Sequence, residues 1–422
     1  MSARGQSESS SGAKQSVRIL GIESSCDETG AAIVENGRFI RANVVASQAS
    51  VHERYGGVVP EVASRRQLSA IIPVLESTLT EAGLGWDGVD AIAATYGPGL
   101  AGSLLVGLTT GKTIALARGL PFLGVNHLEA HIYANWLRED FTPRPPSFDD
   151  LTPEPPLPQG EGESGTDLTP RPAHSRGEGE SEEWPGDPSF PLLALVISGA
   201  HSELVYIPHH GRYELLGQTR DDAAGEAFDK VARVLGLGYP GGPAIERSAA
   251  GRDASAKNPY RLPRAWLNGT NDFSFSGLKT AVVQLVEGYV AGDLETGASK
   301  YTREGVAAAD SGGALSVPDV AAAFQDSVVD VLATKTLRAA RELGVRQVLL
   351  AGGVAANTPL RERLRADLAK LDIQLTYPPI AFCTDNAAMI ASAAYFHLRH
   401  GERSPLDLDV RPGLQLPFAI GR

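Results

Sequence analysis

The sequence predicts an α/β protein of two lobes with a ligand cleft between them, and three observations carry that reading. The chain has 422 residues, too long for one average domain, and 42% of them are hydrophobic, enough to fill two sizeable cores. A succession of strand, glycine turn and helix runs through the first half and starts again in the second. Each half opens with a strand and a turn rich in Gly and Ser, the place where open α/β sheets bind ligands.

Taken in order, MSARGQSESSSGAKQS lacks the apolar core of a secretory signal, and residues 1–16 read as a solvated tail. The first lobe spans residues 17–142. SVRILGIESS is its first strand, and AAIVENGRFIRANVV is a hairpin turned by Asn36-Gly37. VDAIAATYGPGLAGSLLVGLTTGKTIALARGL gives a buried strand, a Gly-Pro-Gly turn and a helix with small residues on one face. Residues 143–187 form a Pro/Glu-rich insert with ten of the 28 prolines and a near-duplication, DLTPEPPLPQGEGES and DLTPRPAHSRGEGES. So little apolar surface cannot offset the chain entropy, and the insert reads as disordered, with a Pro-rich docking ligand as the alternative. The second lobe, 188–384, opens with PLLALVISGAHSELVYI and later repeats strand, Gly-Gly turn and helix in VRQVLLAGGVAANTPLRERLRADL. A milder insert of Gly, Ala and Ser runs from Gly292 to Ser316, and residues 385–422 give a helix and tail that return to the first lobe.

The net charge of −12 argues at first against a nucleic-acid partner, because Lys and Arg drive phosphate binding. Eleven acidic residues against three arginines in the 143–187 insert account for −8, leaving −4 for the rest and room for a local basic surface. Two cysteines, Cys26 and Cys383, are too few for a disulfide framework and fit a reduced cytoplasm. Apolar runs such as LLALVIS are of strand length, so no membrane span is expected.

Four glycine turns after strands, GIESSCDETG, TYGPGLAG, ISGAH and AGGVAAN, can present backbone N–H groups to a phosphate. Each alone is also what a tight turn needs, and TTGKT lacks the first glycine of a phosphate loop. The sharpest signal is HLEAH: His127 and His131, four apart in a helical segment, share one face, a spacing that suits a divalent metal. One core and one surface histidine is the plainer alternative. Glu129 points to the opposite side and is badly placed for the base of an HExxH peptidase. Asp385 in FCTDNAAM offers a third ligand or, equally, a helix N-cap. Glu226, Asp229 and Lys230 lie on a probable helix ahead of the Gly241-Gly242 turn, and Ser276 and Lys279 sit among apolar neighbours; capping and packing would also explain them.

In this order, GIESSCDETG, YGGVVPEVASR, YGPGLAGSLLVG, HLEAH, ISGAHSEL, DDAAGEAFDK, YPGGPAIE, DFSFSGLKT, AGGVAAN and FCTDNAAM resemble the universal tRNA threonylcarbamoyladenosine transferase family, over nearly all the chain outside the tail and inserts. The resemblance implies the two-lobed actin-like ATPase fold, shared with sugar kinases and heat-shock ATPases. It implies an acyltransferase that takes threonylcarbamoyl-AMP in the cleft and passes its acyl group to N6 of the adenosine 3′ of the anticodon, in tRNAs reading codons that begin with A. His127, His131 and Asp385 would hold one divalent metal, Fe2+ or Zn2+. Val196, Ile197, Ser198, Gly199, Ala200, Asp229, Gly242, Glu246 and Asn357 would grip the nucleotide side. Asp27 and Glu28 match acidic residues that face the site and are the expected catalytic pair. Ala200 departs from the second glycine of many relatives, and its methyl is expected to crowd the phosphate turn slightly.

The resemblance also implies partners: tRNA, an upstream threonylcarbamoyl-AMP synthase, a shorter degenerate homologous subunit and a small phosphate-loop ATPase. The small-residue helix from Gly99 to Ala117 is the expected dimer face, with packing on its own sheet as the alternative. The competing functions are a carbamoyltransferase acting on a small molecule or protein thiol, and a non-catalytic ATP-binding regulator; the two histidines with Asp385 speak against the second.

Overall fold

The computed structural model describes residues 16–55, 57–138, 187–290 and 315–418. The N-terminal tail up to residue 15 and the two inserts, to residues 186 and 314, lie outside the described residues. The chain runs β1 (Arg18–Glu23), β2 (Glu28–Glu35), β3 (Phe39–Ser47), α1 (Ala49–His52), α2 (Pro60–Ala82), β4 (Ala91–Gly97), α3 (Ala101–Arg118), β5 (Phe122–Asn126) and α4 (His127–Tyr133). It continues with β6 (Leu192–Ile197), β7 (Ser202–His209), β8 (Arg212–Gln218), α5 (Ala224–Val234), α6 (Gly241–Ala250), α7 (Ser276–Val290), α8 (Val317–Leu343), β9 (Gln347–Ala351), α9 (Thr358–Ala369), β10 (Gln374–Thr376) and α10 (Ala387–Arg399).

Two five-stranded sheets result, β3-β2-β1-β4-β5 and β10-β9-β6-β7-β8, and they have one topology. In each, the first three strands form an antiparallel meander, while the first pairs in parallel with the fourth and the fourth with the fifth. The inner strands β4, β6 and β9 are buried almost throughout, which is why they read as continuous apolar runs rather than alternations. The first hairpin turns where expected, with Asn36 and Gly37 at φ of 53° and 68°.

The layers follow from which face each apolar residue lines. Helices α2 and α3 cover one face of the first sheet, and α5, α7 and α8 one face of the second. The opposite faces of both sheets share a single core with α4 and α10 between them: Ile19 and Ala93 from one side, Ala194 and Val205 from the other, with Leu128, Ile132 and Ile390 in the middle. Gly21 makes the α10 contact possible, because a Cβ there would lie 2.4 Å from the Ala387 carbonyl oxygen.

Two sequence expectations change here. Asp187, assigned to the end of the solvated insert, is a buried anion held by Arg38 at 2.5 Å and Arg138 at 3.2 Å, because the chain re-enters the fold at that point. Four small residues of α3, Ser103, Gly107, Gly111 and Ala115, are buried: Gly107 lies against Ser24 and Ile22, and Gly111 against Ala94 and Phe122. What α2 and α3 turn outward instead is the larger Leu68, Ile72, Leu105 and Leu116, all exposed.

Candidate metal centre and ligand cleft

The histidine helix is short, and its start is fixed by Asn126, whose Oδ1 accepts the N–H groups of Leu128 and Glu129. Asn126 also donates to the Gln415 carbonyl, so the C-terminal strap helps to hold this helix end. His127 and His131 come to the same face with their Nε2 atoms 3.2 Å apart. Asp385 approaches from just before α10, with Oδ1 3.4 Å from Nε2 of His127 and 3.2 Å from that of His131. The cap of α10 is Asn386, which accepts from Met389, so Asp385 is not spent on the helix end.

These three separations test the site for a cation. Bonds of about 2.1 Å to nitrogen and oxygen place neighbouring ligand atoms about 3.0–3.4 Å apart in octahedral or tetrahedral sites, and the triad already has those edges. The triad is the group of metal-ligating type found among the described residues. Nδ1 of His131 is buried without a hydrogen-bond partner. Nδ1 of His127 faces Oε2 of Glu23 at 3.1 Å and Oγ of Ser25 at 3.2 Å. Glu23, at the end of β1, also accepts from Thr95 Oγ1 and from the Ser25 N–H, and so orients His127 as a carboxylate behind a ligating imidazole does.

The electrostatics are those of a site built for positive charge. Burial opposes ionisation of every member. The Asp385 and Glu23 carboxylates nonetheless raise His127 well above the usual imidazole range, while burial keeps His131 below it. Despite burial, His127 holds Asp385 and Glu23 below the ordinary carboxylate range. Glu28 behaves oppositely: burial, then Asp27 and Asp385, push it up to about 9, so it keeps its proton at neutral pH. Its Oε1 accepts from Ser47, and Asp27 beside it is buried.

Across the cleft the second lobe supplies turns and helix starts. Val196 and Ile197 are wholly buried in β6, so their side chains serve the cores rather than a ligand. The chain then turns tightly, the Ser198 N–H donating to the His201 carbonyl at 2.8 Å, which leaves Gly199 and Ala200 exposed at the tip. The Ser198 carbonyl accepts from Gly225 at the start of α5. Asp229 accepts the Gly241 N–H at the start of α6, and burial raises its carboxyl above the usual range. Gly242 has open space where a Cβ would stand. Asn357 caps α9 and donates to Glu246 at 3.2 Å and to Gln325 at 3.0 Å, joining two of the expected ligand residues. Asp229 thus ties the start of α6 to the middle of α5, and Asn357 ties the start of α9 to the middle of α6.

Sequence reasoning missed Glu23, Ser25 and His201. His201 is pushed down to about 4, by burial first and then by the fields of His127 and His131. Glu23 and Ser25 lie in the first glycine turn, GIESSCDETG, but only the pairing of β1 with β4 reveals that they look at His127. Ser276 and Lys279 stand apart from the triad: Ser276 binds Asp221 and Lys279 pairs with Asp222, as capping and packing would have it.

Two sheets of one topology, packed on either side of α4 and α10 with candidate cation ligands on those elements, define a two-lobed protein of the actin-like ATPase class. Within that class, the chain belongs to the tRNA N6-adenosine threonylcarbamoyltransferase (TsaD) family, whose family model matches residues 39–148 and 175–392. A relative of that name from Thermomicrobium roseum is 49% identical over 94% of this chain and 96% of its own. Another from Dehalococcoides mccartyi is 47% identical over 95% of this chain and 99% of its own. Among solved structures, full-length HypF in its phosphate- and nucleotide-bound form aligns with 92% of this chain and 47% of its own, at 12% identity and a TM-score of 0.49.

Proposed function

We propose that this chain transfers the threonylcarbamoyl group of threonylcarbamoyl-AMP to N6 of the adenosine 3′ of the anticodon, in tRNAs reading codons that begin with A. The observation that carries the reading is the His127, His131 and Asp385 triad in a member of this family. His127, His131 and Asp385 would hold one divalent cation, Fe2+ or Zn2+. When bound, it supplies Lewis acidity towards carbamoyl or phosphate oxygens.

The protein's own groups do the rest. The exposed Gly199-Ala200 turn and the helix start at Gly242 would receive the adenylate and offset the charge that grows as AMP leaves. Glu246 and Asn357 hold the nucleoside side. The amine N6 attacks the carbamoyl carbon, the bond from that carbon to the phosphate oxygen breaks, and N6 loses a proton. Asp27 would accept that proton, with the protonated Glu28 beside it as a hydrogen-bond donor. An exocyclic amine is a weak nucleophile, so holding an unstacked adenine against the acyl carbon is a large share of the catalysis.

The partners of this reading are tRNA, a separate threonylcarbamoyl-AMP synthase, a degenerate homologous subunit and a phosphate-loop ATPase. The outward face of α2 and α3 is the proposed seat of the homologous subunit. Leu68, Ile72, Leu105 and Leu116 are exposed there beside a cavity of about 360 Å3 lined by Leu75, Trp86 and Ile114. The cytoplasm is the proposed compartment, supported by the unpaired Cys26 and Cys383. No helix among the described residues is long and apolar enough to cross a membrane.

The test is mass analysis of tRNA nucleosides after depletion of this protein in its host, with add-back of the wild type and of His127→Ala. Loss of threonylcarbamoyladenosine restored only by the wild type is expected. Unchanged levels on depletion would sink the reading.

A further inference from the structure

Glu129 is the member of HLEAH that neither the triad nor the cleft uses. Its side chain leaves the face of α4 opposite the histidines and is 2% exposed. Oε2 lies 2.9 Å from Nε2 of His397 in the last turn of α10, and Oε1 accepts the hydroxyl of Tyr213 from β8. Nδ1 of His397 in turn lies 2.7 Å from Glu402. Burial disfavours the imidazolium, but Glu129 and Glu402 outweigh it and push His397 up to about 9, so Glu129 has a cation for a partner.

The placement of this pair is informative. Helix α10 brackets α4: Asp385, just before its first turn, meets the histidine face, and His397 in its last turn meets the opposite face. A seven-residue helix has little stiffness of its own, and apolar packing is a poor guide to its roll because α4 is buried all round. A roll of about 10° would carry side-chain atoms about 5–6 Å from the axis through about 1 Å. Cation sites tolerate about 0.2 Å. On the far face the anchored carboxylate is a directional contact that resists such a roll, alongside the Asn126 cap, the Glu23 contact of His127 and the Tyr133 hydroxyl 2.9 Å from Nδ1 of His210.

We propose that Glu129 is a positioning residue: its ion pair with His397 and its hydrogen bond from Tyr213 set the roll of α4, and so present His127 and His131 to a cation jointly with Asp385. The inference rests on the metal-centre reading, and the experiment keeps the two apart.

Full-length wild type, Glu129→Gln, His397→Gln, Tyr213→Phe and the Glu129→Gln/His397→Gln double variant are stripped of metal. Zn2+ affinity is then measured by competition with a chromophoric chelator, the visible spectrum is recorded with Co2+, and metal-free melting is followed in parallel. Glu129→Gln and His397→Gln are each expected to weaken Zn2+ binding on the order of 10-fold and to alter the Co2+ spectrum. The double variant should lose no more than the worse single one, since both remove the same contact. If Glu129→Gln does not fold, His397→Gln and Tyr213→Phe carry the test, because neither residue touches a ligand. Folded variants with wild-type Zn2+ affinity and an unchanged Co2+ spectrum would overturn the proposal even if they melt lower, as would additive losses. A wild type that binds neither ion would instead refute the metal-centre reading itself.

Discussion

Replacing Gly21 by alanine puts one methyl group between the first sheet and α10, and its consequences reach the metal centre. The new Cβ would lie 2.4 Å from the Ala387 carbonyl oxygen, 2.8 Å from the Ala391 nitrogen and 3.0 Å from its Cβ. Ordinary contact needs about 3.4 Å or more, so the closest pair must separate by about 1 Å. The two nearest atoms are helix backbone, with no flexible end to swing aside, and α10 itself has to move. Overpacking of this kind costs about 1–3 kcal/mol. The roughly 0.5–1 kcal/mol that alanine gains over glycine in chain entropy is smaller, so the variant is destabilised. Asp385 stands two residues before Ala387, the first residue of α10, and a shift of that size is large beside triad edges of 3.2 to 3.4 Å. Gly21→Ala should therefore lower both the melting temperature of the metal-free protein and its Zn2+ affinity. Gly30→Ala is the internal control: its Cβ would meet the Ala387 nitrogen at 3.2 Å, which calls for a few tenths of an ångström, and its effects should be smaller. A Gly21→Ala protein that melts and binds Zn2+ like the wild type, or a Gly30→Ala protein that suffers more, would refute the reasoning.

Three further expectations concern the cleft and its surroundings. Glu23→Gln removes the carboxylate behind His127 and should weaken Zn2+ binding about 10–100-fold in chelator competition while the fold survives; unchanged affinity would remove Glu23 from the site. Gly225→Ala would place a Cβ 2.5 Å from the Ser198 carbonyl oxygen and push the Gly199-Ala200 turn out of place. Binding of a non-hydrolysable adenylate analogue, followed calorimetrically, should weaken while Zn2+ binding holds, and equal loss of both would mean general damage. His210 stacks on Phe396 and touches Tyr133, Trp136 and Phe190, and burial, with His400 and Arg38 adding to it, pushes its imidazole down to about 3. The unfolded chain takes that proton near pH 6.5 and the folded protein refuses it, so stability is present above pH 6.5 and falls as pH drops towards 3, by up to about 1.4 kcal/mol per unit. His210→Phe should flatten that part of the acid limb in denaturant titrations, and parallel curves for the two proteins would contradict the assignment.

Much of the architecture was legible because it is written at short range. The alternation of buried strand, glycine turn and helix needs only a few consecutive residues to show itself, and so does the Asn36-Gly37 hairpin. His127 and His131 announce a shared face because four residues are about one helical turn. Asp385 offered itself as a third ligand or a helix cap, and the resemblance favoured the ligand, since no spacing rule connects it to a helix so far away in the chain. Everything that depends on which surfaces meet stayed out of reach. The small residues of α3 mark a close contact, but only the folded chain shows that the contact is with β1 and β4 and that leucines face outward. Asp187 looks like the end of a solvated stretch until Arg38 and Arg138 close on it. Glu23 reads as one more polar residue of a glycine turn until the parallel register of β1 against β4 aims it at His127. Glu129, the least explained letter of HLEAH, acquires a partner only from the far end of α10. Local periodicity is set by the backbone within a turn or a strand, so the sequence by itself determined the elements, their order and the histidine face. The burial of a charge and the company it keeps depend on the two sheets closing around α4 and α10, and only that packing decided what surrounds the triad.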